Sequence, residues 1–167
     1  AIIAQVPHVS GPAAVRATGV RASLRVAGPG IRDLIGARTG RPPVYVNSAG
    51  RPGETGVMTT PDAVPGMNAL ITESGLKEGA YPVTVAARIV LKIGFYSPKR
   101  WAAGVRCPAL IQIADADAVT PRKVAEATAA RMAQPTVRVY SGAHFDPYVE
   151  PLFTKVIADP QVDVAVI

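Results

Sequence analysis

The 167-residue chain holds one cysteine, Cys107, two histidines, His8 and His144, and an aromatic content of 5%. A single cysteine excludes an intrachain disulfide, so pairing does not fix the redox compartment. Cys107 opens an apolar run and reads as a small buried group, because nothing local would lower its pKa. No apolar run reaches the length of a membrane span, since Arg88 and Lys92 interrupt the strongest stretch, Val83 to Tyr96. The start, Ala1-Ile2-Ile3-Ala4, has neither a methionine nor a charged leader. A signal peptide is therefore neither visible nor excluded, and a cytoplasmic location is the working expectation.

What is present fits a folded, Ala/Val/Arg/Pro-rich protein of about one domain, 49% hydrophobic and 18% charged. The net charge of +6 comes from 18 basic and 12 acidic residues. The basic residues are spread from Arg16 to Lys155 without a run, so neither nucleic acid nor a membrane surface is an expected partner. Arg88 and Lys92, four apart, are expected to form the solvated stripe of a helix.

Ala1 to Val6 has the length and β-branching of a strand, ended by Pro7. A chain that opens in mid-strand is expected to continue upstream. Ser10 to Ala27 reads as a helix, and Pro29 restarts a second one that Gly36 and Gly40 end. Thr39 to Gly79 is irregular, with a short strand at Val44 to Val46 and a short helix after Thr60-Pro61. Val83 to Tyr96 carries Val85, Ile89 and Ile93 on one face, with Ala86 and Val90 beside them, and predicts a largely buried helix stopped by Pro98. Beyond Trp101 the pattern alternates: strand Ala109 to Ala114, helix Pro121 to Ala133 with Thr120 as N-cap, strand Thr136 to Tyr140, helix Tyr148 to Ala158. Such alternation predicts a parallel sheet, and thus an α/β fold whose chemistry sits on loops at the strands' carboxyl ends.

Asp117 and His144 fall on two such adjacent loops. A hydroxyl nucleophile needs an imidazole to take its proton, and the imidazole needs a carboxylate to fix its tautomer and stabilise its cation. The pair thus reads as the second half of a hydrolytic triad, His144 as general base and then acid, Asp117 as its orienting partner. Asp115 competes for the acid role, and registration on Pro121 favours Asp117. Asp146 reads as a loop-stabilising or helix-entry residue rather than a catalyst. His8 ends the first strand at the sheet's active edge, where it could line a pocket. Ser10 lacks the glycines of a nucleophile turn, and no G-x-S-x-G or G-x-C-x-G occurs in the chain.

The spacing of Cys107-Pro108, Leu110, Asp117 and Pro121, followed by Gly142, His144, Phe145 and Asp146, resembles the α/β-hydrolase family. The resemblance implies a partial hydrolase core at residues 1–9 and 107–167, with a mainly helical cap inserted at 10–106. It implies hydrolysis of carboxylic ester or amide bonds, or acyl transfer, in small molecules, through an acyl-enzyme and without metal or organic cofactor. The nucleophile and oxyanion hole are missing from these 167 residues, so the chain alone is expected to be inactive. The end, Asp159 to Ile167, lacks the longer closing helix usual in the family. Substrate contact is assigned to His8, Val119, Phe145 and Trp101, with Met58, Tyr81, Phe95 and Tyr96 as further apolar lining.

Two other readings stay open. Asp115-Ala116-Asp117-Ala118-Val119-Thr120 also imitates the start of a haloacid-dehalogenase-like phosphatase, in which magnesium would bind both acids. Alternatively the chain is a non-catalytic, hydrolase-like binding or partner module, and homo-oligomerisation is open.

Overall fold

The computed structural model describes residues 1–77 and 80–159. In chain order it runs β1 (Ile2–Gln5), α1 (Gly11–Thr18), α2 (Val20–Arg38), β2 (Tyr45–Ala49), β3 (Gly56–Met58), α3 (Ala63–Glu73), β4 (Thr84–Ala86), α4 (Val90–Ile93), β5 (Pro108–Ala114), α5 (Arg122–Ala129), β6 (Gln134–Tyr140) and α6 (Leu152–Ala158). Among the described residues, no helix is long and apolar enough to cross a membrane.

β5 is the middle of a three-stranded parallel sheet ordered β1-β5-β6, with Ile3 opposite Leu110 and Ile111 opposite Val137. Parallel strands need a crossover, and α5 supplies it between β5 and β6. Alternation along β5 sends Ala109, Ile111 and Ile113 toward Ala125 and Ala129 of α5, which form one buried cluster. Gln112, on the opposite pleat, is 3% exposed and must find partners in the interior. Its amide donates to the Tyr140 hydroxyl at 3.0 Å and to the Val156 carbonyl of α6 at 2.9 Å. Both faces of β5 are thus covered, as an apolar central strand requires. The α/β character expected from the alternating pattern is present.

Residues between β1 and β5 build a second unit around the sheet β3-β2-β4, in which β2 runs parallel to β3 and antiparallel to β4. Helices α1 to α4 make up most of the insert's regular structure, with this small sheet beside them. The first helix ends at Thr18 rather than Ala27, because Gly19 takes a left-handed φ of +96° that breaks the helical path. Pro29, expected as a boundary, lies inside α2. The helix expected over Val83 to Tyr96 is another correction. Thr84–Ala86 is a strand pairing with β2, Ala87–Ile89 is a 3₁₀ turn, and α4 is only four residues long. The β-branched Val83-Thr84-Val85 run favours extended backbone over the helical period that runs through the same residues.

Arg88 is not solvated as expected. Its guanidinium Nε lies 2.8 Å from Oδ2 of Asp33, which is 1% exposed on α2. The same carboxylate accepts from the backbone N–H groups of Val44 at 2.9 Å and Arg88 at 2.8 Å. One side chain therefore ties α2 to the entries of β2 and of the 3₁₀ turn. Burial alone would raise the Asp33 carboxyl, but the hydrogen bonds from Arg88 and Val44 and the guanidinium charge outweigh it and hold the group below the usual carboxylate range.

At the carboxyl end, the expected helix over Tyr148 to Ala158 is split into a 3₁₀ turn, Asp146–Tyr148, and α6. The expectation of a missing closing helix concerns residues 160–167, which lie outside the described residues.

Asp33→Ala is expected to lower the melting temperature by several degrees at neutral pH, by orphaning two backbone N–H groups and the guanidinium. The lowered carboxyl pKa makes this contribution complete above the ordinary carboxylate range and lost as pH falls through the folded value. Thermal melts of wild type and variant should therefore converge in acid.

Candidate functional site

The loops that follow β5 and β6 are joined by backbone hydrogen bonds, from Asp115 N–H to the Tyr140 carbonyl at 2.9 Å and from Ala116 N–H to the Gly142 carbonyl at 3.0 Å. This zipper extends the β5–β6 pairing past the sheet and brings Asp117 and His144 together. Asp117 folds back on its own loop. Its Oδ1 accepts from the N–H groups of Val119 at 2.8 Å and Thr120 at 2.6 Å, an Asx-type turn. Its Oδ2 accepts from the Thr120 hydroxyl at 2.6 Å and from His144 Nδ1 at 2.8 Å.

Thr120 was expected to cap the following helix. Instead α5 begins at Arg122 after Pro121, and the Thr120 hydroxyl braces the acid. Burial alone would raise the Asp117 carboxyl; the His144 and Thr120 hydrogen bonds outweigh it and hold it below the usual range. Asp117 is thus anionic at neutral pH. An anionic acceptor on Nδ1 makes that nitrogen the proton carrier and leaves Nε2 as the basic nitrogen.

Asp115 is exposed and its carboxylate accepts from Gly142 N–H at 3.0 Å, so Asp117 is the acid that reaches His144. Asp146 accepts from Ala143 N–H at 2.7 Å and holds the histidine loop, its expected part. Phe145 packs edge-on against His144, with ring centroids 4.9 Å apart, and is 6% exposed. Its other neighbour is α3: a Cβ added at Gly66 would stand 2.3 Å from the Phe145 ring. The lack of a side chain at Gly66 lets the insert close on the histidine loop.

His144 opens onto a cavity of about 390 Å³ between the core loops and the insert. Val119 and His8, two of the residues assigned to substrate contact, line it together with His144. Phe145 and Trp101 do not. Phe145 is packing between His144 and α3, and Trp101 sits 67% exposed on the Pro98–Gly104 turn, outside the cavity wall. Of the further apolar candidates only Met58 lines the cavity; Tyr81, Phe95 and Tyr96 are exposed. Sequence reasoning missed most of the wall, which comes from Val15, Val26, Val85, Ile89, Val90 and Ile93 of the insert.

His8 reaches the cavity just after Val6, whose φ of +35° is left-handed. A β-branched residue there costs about 1–3 kcal/mol. His8 stacks on Tyr96 with centroids 6.4 Å apart, and its buried Nε2 has no hydrogen-bond partner among the described residues. Burial is the largest influence on it, and lowers its pKa below the ordinary value despite the Ile93 and Tyr96 carbonyls. Ser10 is 4% exposed and stands at the entrance to α1, away from the main cavity wall.

No family model matches the chain. It is 33% identical over 163 residues to the quorum-quenching protein AidA of Acinetobacter baumannii (strain MDR-ZJ06), which covers 98% of this chain and 52% of AidA. In three dimensions it is similar to DcsB, solved in complex with its substrate analogue, with a TM-score of 0.67, 14% identity, and coverage of 95% of this chain and 53% of DcsB. The chain thus spans about half the length of each. At that identity the likeness to DcsB is one of fold.

Thr120→Val keeps the side-chain shape and removes one charge-assisted donor from Asp117. It is expected to cost about 1.5–3 kcal/mol of stability in denaturant titrations at neutral pH, and less below the carboxylate range, where Asp117 is protonated.

Proposed function

We propose that this chain carries the acid and the histidine of a hydrolytic centre of the α/β-hydrolase type, acting on carboxylic ester or amide bonds. The observation that carries the reading is the 2.8 Å hydrogen bond between Asp117 and His144 Nδ1, buried at the head of a parallel sheet and facing a cavity. In this reading residues 1–9 and 107–159 belong to the hydrolase core, and 10–106 to the cap that closes the substrate chamber. The nucleophile comes from residues outside these 167. Coverage of only about half of AidA and of DcsB is consistent with that.

His144 Nε2 accepts the proton of the nucleophile as it attacks the carbonyl carbon, and gives it to the departing oxygen or nitrogen. Water, deprotonated by the same imidazole, then attacks the acyl-enzyme, releasing the carboxylic acid and restoring the nucleophile. Asp117 holds the ring with Nε2 unprotonated and stabilises its cation at both stages. His8, which lines the same cavity, contacts the substrate there. The similarity to a quorum-quenching protein supports an enzymatic reading in which the product is an inactivated small signal.

In the full-length protein, His144→Ala and Asp117→Asn are each expected to lower kcat/KM for a p-nitrophenyl ester by at least ~10³-fold, with unchanged circular dichroism. Ester turnover that survives His144→Ala would remove the assignment.

A further inference from the structure

Among the described residues α2 is the longest helix, 19 residues and thus about 28 Å of axis, and its two faces differ in kind. Ala22, Val26, Gly30 and Asp33 are buried on its inner face, where Val26 also reaches the cavity wall. The outer face carries Val20, Leu24, Ile31 and Ile35, which are 51–66% exposed. At 3.6 residues per turn these four fall within about 60° of arc and make one apolar ridge along the helix. A continuous exposed ridge of this kind marks a surface that meets a partner.

Arg21, Arg25 and Arg32 are exposed beside the ridge, gathered within about 40° of arc on one flank. They stand four and seven residues apart, so no run of basic residues shows in the sequence, whereas the helical period aligns them. Among the described residues none of the three pairs with a carboxylate. From Ala1 to Gly53 there are seven arginines and a single acid, Asp33, which is 1% exposed and already holds Arg88. The outer face of α2 is therefore apolar along its crest, cationic along one flank and free of accessible negative charge.

Charge complementarity selects the partner. A second copy of the ridge would bring more arginine and no carboxylate, leaving like charges to repel across the contact. A protein helix docks into a groove with pockets for its anchor residues, and none of the cavities among the described residues is lined by Val20, Leu24, Ile31 or Ile35. A fluid anionic bilayer moulds itself to a convex ridge, taking aliphatic side chains among its acyl chains and guanidinium groups among its phosphates. No helix among the described residues is long and apolar enough to cross a membrane, so such contact lies along the surface.

We propose that α2 docks this protein on an anionic lipid surface, with Val20, Leu24, Ile31 and Ile35 entering the interface and Arg21, Arg25 and Arg32 on the headgroups. Val26, on the opposite side of the same helix, lines the cavity beside His144, so docking holds that cavity about one helix diameter, ~10 Å, from the membrane surface. This reverses the expectation drawn from the scattered basic residues of the sequence.

The test is co-sedimentation of the full-length protein with vesicles of phosphatidylcholine alone and of phosphatidylcholine with about a third phosphatidylglycerol. The anionic vesicles are expected to bind at least ~30-fold more tightly, with affinity falling as salt is raised. Arg21→Gln, Arg25→Gln and Arg32→Gln together are expected to weaken that binding about 100-fold, near fivefold for each charge removed. Leu24→Ser with Ile31→Ser is expected to weaken it at least ~20-fold, and thermal melts check that both variants fold. Equal binding to the two vesicles, no binding to the anionic ones, or anionic binding that survives Leu24→Ser with Ile31→Ser would overturn the proposal, the last by reducing it to diffuse attraction of a basic protein. A lipid-free dimer in sedimentation velocity that the same serine variant dissociates would also overturn it, and would assign the ridge to a second copy of the chain.

Discussion

The Asp117 carboxylate is the point on which the site depends. It accepts four hydrogen bonds, from two backbone N–H groups of its own loop, the Thr120 hydroxyl and His144. A buried anion is tolerated only when its lone pairs are filled in this way. Each donor is positioned by something else: the loop N–H groups by the Asx turn, His144 by the zipper between the loops after β5 and β6. The zipper in turn needs the parallel register of the two strands, which the buried cluster around Ile111 and Ile113 secures. Sheet packing and the state of one imidazole are therefore linked through a short chain of named contacts.

The insert is held with comparable care, and by similar chemistry. Asp33 gathers α2, the entry to β2 and the turn at Arg88, and so ties the longest helix of the insert to its small sheet. Phe145 against Gly66 then docks α3 onto the histidine loop. Closing the insert over the core in this manner leaves the cavity between them, lined by aliphatic side chains from both and by His8 and His144. The left-handed Val6 belongs to the same arrangement: strain at the end of β1 is placed where the chain turns into the cavity wall.

The carboxyl-terminal part of this organisation was legible in the sequence because its signals are local. An apolar β5, a helix beginning near Pro121 and a second β-branched strand dictate alternation, and the loops after the strands carry Asp117 and His144. The insert was much less legible. Val83 to Tyr96 satisfies a helical period and a β-branched preference at once, and pairing with β2, a contact distant in sequence, decides for a strand over Thr84–Ala86. Arg88 four residues from Lys92 looks like a solvated pair until Asp33, 55 residues away in the chain, claims it. Trp101 and Phe145 were assigned to substrate contact by side-chain type, which cannot tell a cavity wall from an exposed turn or a packed interior. Thr120 carried a usable signal, a hydroxyl three residues after an aspartate, but it matched a helix cap equally well.

The measurement that bears most directly on the account is nitrogen-15 NMR of the two imidazoles across a pH titration, with His144 identified by comparison with His144→Ala. In the neutral form of His144, a proton on Nδ1 and none on Nε2, with the Nδ1 proton shifted far downfield by Asp117 and returned toward the free-imidazole position in Asp117→Asn, is the predicted result. A His144 protonated on Nε2, or a ring indifferent to Asp117→Asn, would contradict the claim that this carboxylate holds the histidine ready to act as a base.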